Sequence, residues 1–485
     1  MTTTSLEVTV HRRLKELSRR LPQALPWPHQ LTMARLVARS LTTGRSALIQ
    51  VASQPEYRLS YLLPALSWPQ PLVLALTPTV QAQLQQQDLP LVENWEKPLL
   101  FVEQWPQPDW AGVLVVDPVV LLRDFFRRTM TVPKGVPIVF DQTQHLEAWV
   151  ETALGVRVEP ADWQRLRLSL PPAQAEQVLH QVTELAHYLL TNPNPTQSVP
   201  QDLRRTLGGL LQAIQPTLEP WTRFTEHLVT DWPLWSAVHH QSASFTLYLS
   251  PVPVAAALAP LWSQHPVILI GEGLDSQKQA PAFRYRLGLG EMTTVQFAPD
   301  RHEEEVSLYL PDLPETNHPH FVARILPLLG QLVLTSPGPV VVLVDSYALR
   351  RQLGTYLAAQ FGSRVGVGRV PTGARPVVVA DWDFWEQGPG LDPATLVLVN
   401  LPFPAWDQPL VQARIHALKQ EGRDWFREYL LPVALGRLQR GVNPVRRTKG
   451  LVALLDNRVS WRSYGAVLLE GLAPARRLYT LDKVD

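Results

Sequence analysis

Eight short apolar runs, each ending in polar or turn-forming residues, constrain the fold of this chain more than any other feature. Runs of Val, Leu and Ile of this length are typical of strands that are buried on both faces, as in a parallel sheet covered by helices. Helical patterns lie between the runs, and strands that alternate with helices predict an α/β architecture. The runs occupy residues 72–79, 113–117, 136–141, 267–273, 340–347, 377–383, 396–404 and 451–458.

The runs fall into two groups, which are separated by a stretch of different composition. Residues 155–240 are rich in Gln, Leu and Trp, and residues 175–190 have helical spacing, so we predict a helical insertion here. We therefore predict two α/β lobes built on parallel sheets, with the insertion in the first lobe. The predicted boundaries are 1–154 for the first part of lobe 1, 155–240 for the insertion, 241–295 for the completion of lobe 1 and 296–485 for lobe 2.

The chain of 485 residues contains no cysteine. Disulfides, thiolate zinc sites, cysteine-bound iron–sulfur clusters and a cysteine nucleophile are therefore excluded together. The histidines at 239–240, 318 and 320 have no carboxylate or thiolate at supporting spacing, so no metal site is expected. We expect a cytoplasmic protein, because small secreted scaffolds usually depend on disulfides.

No apolar run approaches the roughly 18 residues that a membrane-spanning helix needs, so no membrane partner is expected. The N-terminal segment has the pattern of a basic amphipathic helix, with Leu14, Leu17 and Leu21 at helical spacing between Arg and Lys residues. We expect this helix to pack on a domain, and a membrane-surface role is the alternative.

Basic residues cluster near the C-terminus, although the formal net charge of +1 gives no global reason to bind nucleic acid. Between residues 437 and 462 a single acid, Asp456, accompanies seven basic residues. A solvated face and a phosphate-binding face both fit such a cluster, and charge alone does not separate them. The seven are Arg437, Arg440, Arg446, Arg447, Lys449, Arg458 and Arg462.

Segments of the N-terminal half, taken in order, resemble the motifs of DinG/XPD-type superfamily 2 DNA helicases. Gln30 and Met33 match a Gln-x-x-Met element, which precedes a strand, a phosphate loop and a Tyr-Leu-Leu-Pro-Ala-Leu helix at residues 46–66. Residues 74–92 are similar to the Thr-x-Thr element and the Asp-Leu-Pro-Leu run that follows it. Residues 138–149 lie where the family has its Asp-Glu-Ala-His box.

The C-terminal half carries the stronger part of the resemblance. Residues 396–414, 424–441 and 450–465 follow the order and spacing of the last helicase motifs. The resemblance covers most of the chain apart from residues 155–240, and it implies two RecA-like lobes with an arch-like insertion. Some relatives carry an iron–sulfur cluster between the first two motifs, but the interval 93–111 is short and has no cysteine.

The phosphate loop departs from the family pattern at every chemically important position. In a working loop, glycine N–H groups surround the phosphates, Lys reaches the β/γ-phosphates and Ser/Thr holds magnesium. The aligned residues 52–58 contain no glycine, Pro55 has no N–H, and Glu56 adds negative charge. Tyr57 occupies the lysine position and Arg58 the Ser/Thr position. A guanidinium is a good phosphate partner, but Arg58 cannot ligate magnesium.

The second acidic motif and the coupling motif depart in parallel. Asp141 is kept, but Gln142 replaces the Glu that is expected to orient the attacking water, and Gln144 replaces the His. Residues 271–274 read Gly-Glu-Gly-Leu where the family has Ser-Ala-Thr-Leu. Because phosphoryl transfer depends on positioning and charge neutralisation, these losses predict a large fall in ATP hydrolysis.

Arg437 and Arg440 match the paired arginines of the family, one of which acts on the γ-phosphate. Three interpretations remain open: the arginines pair with acids across the interlobe cleft, they bind nucleotide without turnover, or they contact nucleic-acid phosphates. We predict a cleft in which the vestigial nucleotide positions are Gln30, Tyr57, Arg58, Asp141, Gln142, Arg437 and Arg440.

Two functions follow from the resemblance and its departures. The first is a non-catalytic pseudo-helicase that binds single-stranded DNA or scaffolds an unidentified protein. The alternative is an active ATP-dependent 5′-to-3′ DNA helicase with a divergent loop. No cofactor is expected for the first, and ATP with magnesium only for the second. The predicted strand contacts are Thr77, Thr79, Arg446 and Arg447.

Overall fold

The fold is described from a computed structural model of the chain. It describes residues 5–20, 27–51, 55–92, 97–102, 105–107, 109–192, 194–297 and 305–481, without the side chains of residues 55 and 56. Within these ranges there are three sheets, of which two have seven strands and are entirely parallel. The predicted α/β architecture of two parallel-sheet lobes is confirmed.

Lobe 1 opens with helices and strands that alternate before the insertion. The helices are α1 (Leu6–Arg20), α2 (Gln30–Thr43), α3 (Leu59–Ser67), α4 (Pro78–Gln83), α5 (Pro118–Phe126) and α6 (Leu146–Leu154). The strands are β1 (Ala47–Val51), β2 (Leu72–Ala75), β3 (Leu99–Phe101), β4 (Val113–Val116) and β5 (Ile138–Phe140).

The insertion is mixed, where the sequence predicted only helices. Its strands pair in the antiparallel order β6-β9-β8-β7, and the predicted boundary at residue 240 falls between β8 and β9. Positions in β8 alternate between buried and partly exposed, as in a sheet with one covered face. The elements are β6 (Val156–Val158), α7 (Pro160–Leu168), α8 (Pro172–Thr191), β7 (Thr196–Ser198), α9 (Gln201–Ile214), α10 (Trp221–Leu228), β8 (Leu234–His239) and β9 (Ser244–Leu249).

The chain then completes lobe 1 and builds lobe 2. Lobe 1 closes with α11 (Ala255–Gln264), β10 (Val267–Glu272), α12 (Pro281–Arg286) and β11 (Thr293–Gln296). The strands of lobe 2 are β12 (Val306–Tyr309), β13 (Val340–Leu343), β14 (Val365–Val367), β15 (Val377–Ala380), β16 (Thr395–Leu398), β17 (Leu451–Leu454) and β18 (Ala475–Leu478). Its helices are α13 (Phe321–Thr335), α14 (Tyr347–Phe361), α15 (Trp382–Glu386), α16 (Pro409–Gln420), α17 (Leu431–Arg447), α18 (Arg458–Trp461) and α19 (Gly465–Gly471).

The two parallel sheets place the polar ends of the apolar runs at their carboxyl edges. The strand order is β11-β1-β10-β5-β2-β4-β3 in lobe 1 and β14-β15-β13-β16-β17-β12-β18 in lobe 2. All eight predicted runs contain a strand of one of these sheets, and central strands such as β2 and β13 are buried along their whole length. Because the carboxyl edge of an open α/β sheet is where ligands bind, the residues after these strands define the candidate site.

Helix α1 packs on lobe 1, as its pattern predicted. Val10, Leu14 and Leu17 are buried in the same apolar cluster as residues of α2 and α3, whereas Leu21 lies outside the described residues. Over the part of the chain that the structure describes, no helix is both long and apolar enough to cross a membrane.

An ion-pair network joins the lobes on one side of the cleft. Arg414 on α16 of lobe 2 pairs with Glu151 on α6 of lobe 1, and its Nε lies 3.8 Å from Glu147. Arg286 of lobe 1 donates to Glu147 at 2.6 Å. Burial alone would raise the pKa of Glu147, but the charges of Arg286 and Arg414 outweigh it, so the pKa is lowered. Glu147 is therefore held ionised between the two lobes.

The backbones of the lobes touch at a pair of glycines. Gly273 follows β10 with φ +56°, in the left-handed region that glycine adopts readily. A Cβ added at Gly436 on α17 would lie 2.2 Å from the carbonyl oxygen of Gly273, and one added at Gly273 would lie 2.7 Å from the Cα of Gly436. Neither position accepts a side chain unless the lobes separate.

We predict that Gly436→Ala weakens the closed arrangement of the lobes. In an isolated helix the change would stabilise by about 0.5–1 kcal/mol, but the clash with Gly273 should reverse the sign and cost about 1–3 kcal/mol. The control is Gly209→Ala on α9, where an added Cβ meets nothing within 4 Å. Urea denaturation measures both changes, and a stabilised Gly436→Ala protein would contradict the close contact.

Candidate functional site: the interlobe cleft

A cavity of about 360 Å³ lies between the lobes at the position predicted for nucleotide. Lobe 1 contributes the end of β5, the turn before α3 and the end of β10, and lobe 2 contributes α15 and α17. The predicted residues Tyr57, Arg58, Asp141, Gln142 and Arg440 all line it. Of the phosphate-loop positions, residues 52–54 lie outside the described residues, as do the side chains of 55 and 56.

Two phenols occupy both oxygens of the retained acid, Asp141. The Tyr57 hydroxyl donates to Oδ1 at 2.6 Å, and the Tyr61 hydroxyl donates to Oδ2 at 3.0 Å. The backbone N–H of Gln142 adds a third bond to Oδ1 at 2.8 Å. Asp141 is only 1% exposed, so these donors replace the water that a buried carboxylate loses. Tyr57, which aligns with the lysine of the family's phosphate loop, thus binds Asp141, which aligns with the family's metal-associated acid.

Burial governs the protonation of this trio. It raises the pKa of Asp141, and the bonds from Tyr57, Tyr61 and Gln142 oppose the rise without cancelling it. Burial and the neighbouring carboxylate raise the pKa of Tyr57 and of Tyr61 well above the ordinary value. Both phenols therefore keep their protons and remain donors to Asp141.

Arg58 lines the cleft, but its guanidinium is held in a buried ion pair. Its Nε donates to Asp88 Oδ2 at 2.6 Å, and the amide oxygens of Gln83 and Gln87 accept from Nη1 and Nη2 at 3.2 Å each. The guanidinium of Arg58 is 6% exposed and the carboxylate of Asp88 is 7% exposed. Gln83 ends α4, and Gln87 and Asp88 follow it, so Arg58 joins the start of α3 to the C-terminal end of α4 and the segment after it.

The residues that replace the Glu and His of the acidic box also have partners within lobe 1. Gln142 has φ 58° in the left-handed region, and its Oε1 accepts from the Thr77 hydroxyl at 3.0 Å. Gln144 accepts from the backbone N–H of Glu272 at 3.2 Å. Thr77 was predicted to contact a strand of DNA, and its hydroxyl here donates to Gln142 of the acidic box.

Arg437 and Arg440 pair with acids of their own lobe, which counts against the first of the three interpretations, pairing with acids across the cleft. Arg437 donates to Asp383 at 2.8 Å, and Arg440 donates to Glu386 at 2.5 Å. Both acids lie on α15, which faces α17 within lobe 2. Arg440 also donates to the backbone carbonyl of Glu272 in lobe 1, at 3.3 Å. The paired arginines therefore hold α15 to α17 and are not the main link between the lobes.

The remaining predicted residues lie apart from one another. Gln30 is buried at the start of α2, and Thr79 is exposed on α4. Arg446 is 5% exposed and donates to the carbonyl of Leu472 at 2.7 Å, which counts against its predicted contact with a strand. Arg447 lies at the cleft edge, partly exposed and ion-paired with Asp392.

His145, which the sequence reasoning passed over, lies in the middle of the cleft. Burial lowers its pKa to about 4, and the positive charge of Arg440 contributes in the same direction. The imidazole is therefore neutral at pH 7. Its place directly after the acidic box is the signal that would have found it.

Tyr61 and Asp88 also escaped the sequence reasoning as partners, although both lie in motifs that the resemblance had marked. Within the ranges that the structure describes, no three His, Asp or Glu side chains converge as a metal site requires. Asp141, the acid best placed for magnesium, already has both oxygens engaged. As arranged, Asp141, Arg58 and Arg440 all have charged or polar partners within the chain.

We predict that Tyr57→Phe destabilises the fold. Removal of the hydroxyl leaves the buried Oδ1 of Asp141 with a backbone donor alone, and such a loss costs about 1–3 kcal/mol of unfolding free energy. Tyr479→Phe is the matched control, because Tyr479 is 79% exposed. Equal unfolding free energies for the two variants in urea would show that the phenol–carboxylate bond does not exist in solution.

We predict that His145 makes the free energy of unfolding depend on pH. Its pKa is lowered from 6.5 to about 4 in the folded state, so the unfolded chain binds the proton more readily between these values. The free energy of unfolding should therefore fall as the pH drops from 6.5 to 4, by up to about 3 kcal/mol. His145→Gln should remove that loss, and the same change at the exposed His187 should not. Thermal melts across this range would refute the assignment if the two variants behaved alike.

Comparison with known proteins gives matches that agree with this geometry. A model of the helicase C-terminal domain matches residues 390–475, which include α17 and its paired arginines. Over 258 residues the chain is 30% identical to the ATP-dependent DNA helicase YoaA of Escherichia coli (strain K12), covering 49% of this chain and 40% of YoaA. It is 22% identical to the 3′-5′ exonuclease DinG of Bacillus subtilis (strain 168) over 270 residues, covering 49% and 29%. The chain spans less than half the length of these relatives.

Solved structures extend the likeness to nearly the whole fold. A structure titled XPD_Helicase superposes with a TM-score of 0.63 at 12% identity, covering 93% of this chain and 99% of the other. Xpd4 of S. tokodaii superposes with a TM-score of 0.64 at 12% identity, covering 93% and 100%. The parallel sheets, the C-terminal domain match and the sequence relatives agree. The chain is therefore similar to DinG/XPD-type superfamily 2 helicases in its C-terminal domain, over about half of its sequence, and in its fold.

Proposed function

We propose that this chain is a pseudo-helicase, which has lost ATP hydrolysis and acts by binding nucleic acid or as a scaffold. The observation that carries the proposal is that charged groups of the cleft already have partners within the chain. The groups that stand at the nucleotide positions already take partners from the chain itself. Tyr57 and Tyr61 bind Asp141, Arg58 binds Asp88, and Arg440 binds Glu386.

A nucleoside triphosphate needs cations, and the cleft offers few that are uncompensated. Arg58 would have to leave its buried pair with Asp88, and breaking such a pair costs about 3–5 kcal/mol because one charge is left buried alone. Arg440 shares Glu386 with Arg437, whose Nη2 lies 3.3 Å from that carboxylate. Phosphate binding would therefore compete with existing ion pairs rather than fill an empty site.

Magnesium meets a similar obstacle. In the family the metal is held by the loop Ser/Thr and associated with the box acid. Here Arg58 stands at the Ser/Thr position, and a cation approaching Asp141 would have to displace two phenol donors. Gln142 is neutral and cannot serve as the acidic residue that orients water. These substitutions support loss of turnover rather than a change of metal.

The nucleic-acid part of the proposal rests on the family. YoaA of Escherichia coli and YoaA of Haemophilus influenzae are both named ATP-dependent DNA helicases. Thr79 is exposed on α4, which follows β2, and Arg447 is exposed at the cleft edge, so single-stranded DNA could contact both. Loss of hydrolysis does not require loss of strand binding, because Thr79 is not among the residues that line the cleft.

The proposal predicts that purified protein neither turns over ATP nor is stimulated by single-stranded DNA. Phosphate release is the measurement, with wild type and Asp141→Asn assayed side by side. Equal, background release from both is the expected result. DNA-stimulated release that Asp141→Asn or Arg437→Ala abolishes would instead establish an active ATP-dependent helicase with a divergent loop.

A salt titration of binding to labelled single-stranded DNA tests the other half. Affinity for phosphates should rise steeply as salt is lowered, because binding releases counterions. No binding even at low salt would leave protein scaffolding as the function and remove the nucleic-acid role.

A further inference from the structure

Four arginines meet in a shallow depression where the insertion joins lobe 1. Arg127 follows α5, Arg157 lies on β6, Arg165 on α7 and Arg223 on α10. Together with Gly155, Val156, Glu219 and Pro220 they line an open volume of about 770 Å³. The depression lies at the far end of α6 from the cleft, about 13 Å along that helix.

The arginines are brought together by a rigid frame. Arg223 donates to the carbonyl of Leu154 at the end of α6, at 2.7 Å. The buried Trp221 donates to the carbonyl of Asp162 at 3.1 Å, which fixes the start of α10 against α7. At Gly155 an added Cβ would lie 2.3 Å from the carbonyl oxygen of Glu151, so the chain passes closely beneath the depression.

The charges of the depression are incompletely compensated. Arg157 pairs with Glu159 and Arg165 pairs with Asp162. Among the described residues, no acid lies in ion-pair contact with Arg127 or Arg223. Both guanidinium groups remain charged at all ordinary pH values, so their mutual repulsion opposes folding, and an anion bound between them would relieve it.

The charge of Arg127 acts on Arg223. Burial lowers its pKa, the charge of Arg127 lowers it further, and Glu219 and Glu226 oppose the change without cancelling it. A capping role at the end of α6 accounts for the position of Arg223, since cations are stabilising at helix C-termini. It does not account for Arg127, which is exposed and follows a different helix.

We propose that this depression binds phosphate groups of a nucleic-acid strand, with Arg127 and Arg223 as the principal contacts. The proposal rests on the proposed nucleic-acid role. Guanidinium groups suit phosphates because they offer paired N–H donors with a fixed charge. The depression is open rather than enclosed and much larger than one phosphate, which favours a polymer passing over it. A strand held here would contact the insertion and lobe 1 together.

The test uses the full chain and a labelled oligodeoxythymidylate. Arg127→Gln and Arg223→Gln should each weaken binding about tenfold and reduce the slope of log affinity against log salt by about 1. Arg205→Gln is the matched control, because Arg205 is an exposed arginine on α9 outside the depression. Since Arg127 is exposed, its replacement leaves folding intact, and it decides the outcome even if Arg223→Gln unfolds.

The possible results separate this site from the wider function. A deficit in Arg127→Gln that equals that of Arg205→Gln overturns the site while leaving strand binding in place. If wild type binds no oligodeoxythymidylate at low salt, the nucleic-acid role fails. Thermal unfolding in the presence of inorganic phosphate then tests whether the depression binds phosphate. A melting temperature that phosphate raises in wild type but not in Arg127→Gln supports a phosphate site for free anions, and no rise overturns it.

Discussion

A charge that folding removes from water must find a partner, and this constraint organises the centre of the molecule. Asp141 stands at the end of a buried strand, where a carboxylate would be costly without donors. Two phenols and a backbone N–H supply them. The same requirement draws Arg58 to Asp88 and gathers Arg437 and Arg440 around the acids of α15. The charged groups of the cleft are therefore paired within the chain itself.

The architecture could be predicted because parallel strands buried on both faces leave continuous apolar runs. Each of the eight runs contains a strand, and Asp141 and Glu272, at the ends of two of these runs, line the cleft. The antiparallel sheet of the insertion was missed because strands such as β6, β7 and β8 mix buried with exposed or partly exposed positions, so they carry no continuous apolar run. Helical spacing in the neighbouring α8 dominated that stretch.

For the candidate site, the positions of the residues could be predicted from the sequence, but their partners could not. The positions of Tyr57, Asp141 and Arg437 could be read from the order of motifs, since order is a property of the sequence. Their partners could not, because Tyr61 and Asp141 are 80 residues apart and meet only in the folded chain. One of the three interpretations placed the partners of Arg437 and Arg440 across the cleft, but α15 of the same lobe lies nearer to them. Which acid an arginine selects depends on packing that no local pattern records.

The contact between Gly273 and Gly436 has a consequence for how this sequence can change over time. Each glycine is required by the backbone of the other, so a methyl group gained at either position changes the spacing of the two lobes. An ion pair at the rim can be lost and replaced by another pair nearby, but a backbone contact has no such substitute. The two positions are therefore coupled, and a lineage that alters one must also reshape the surface around the other.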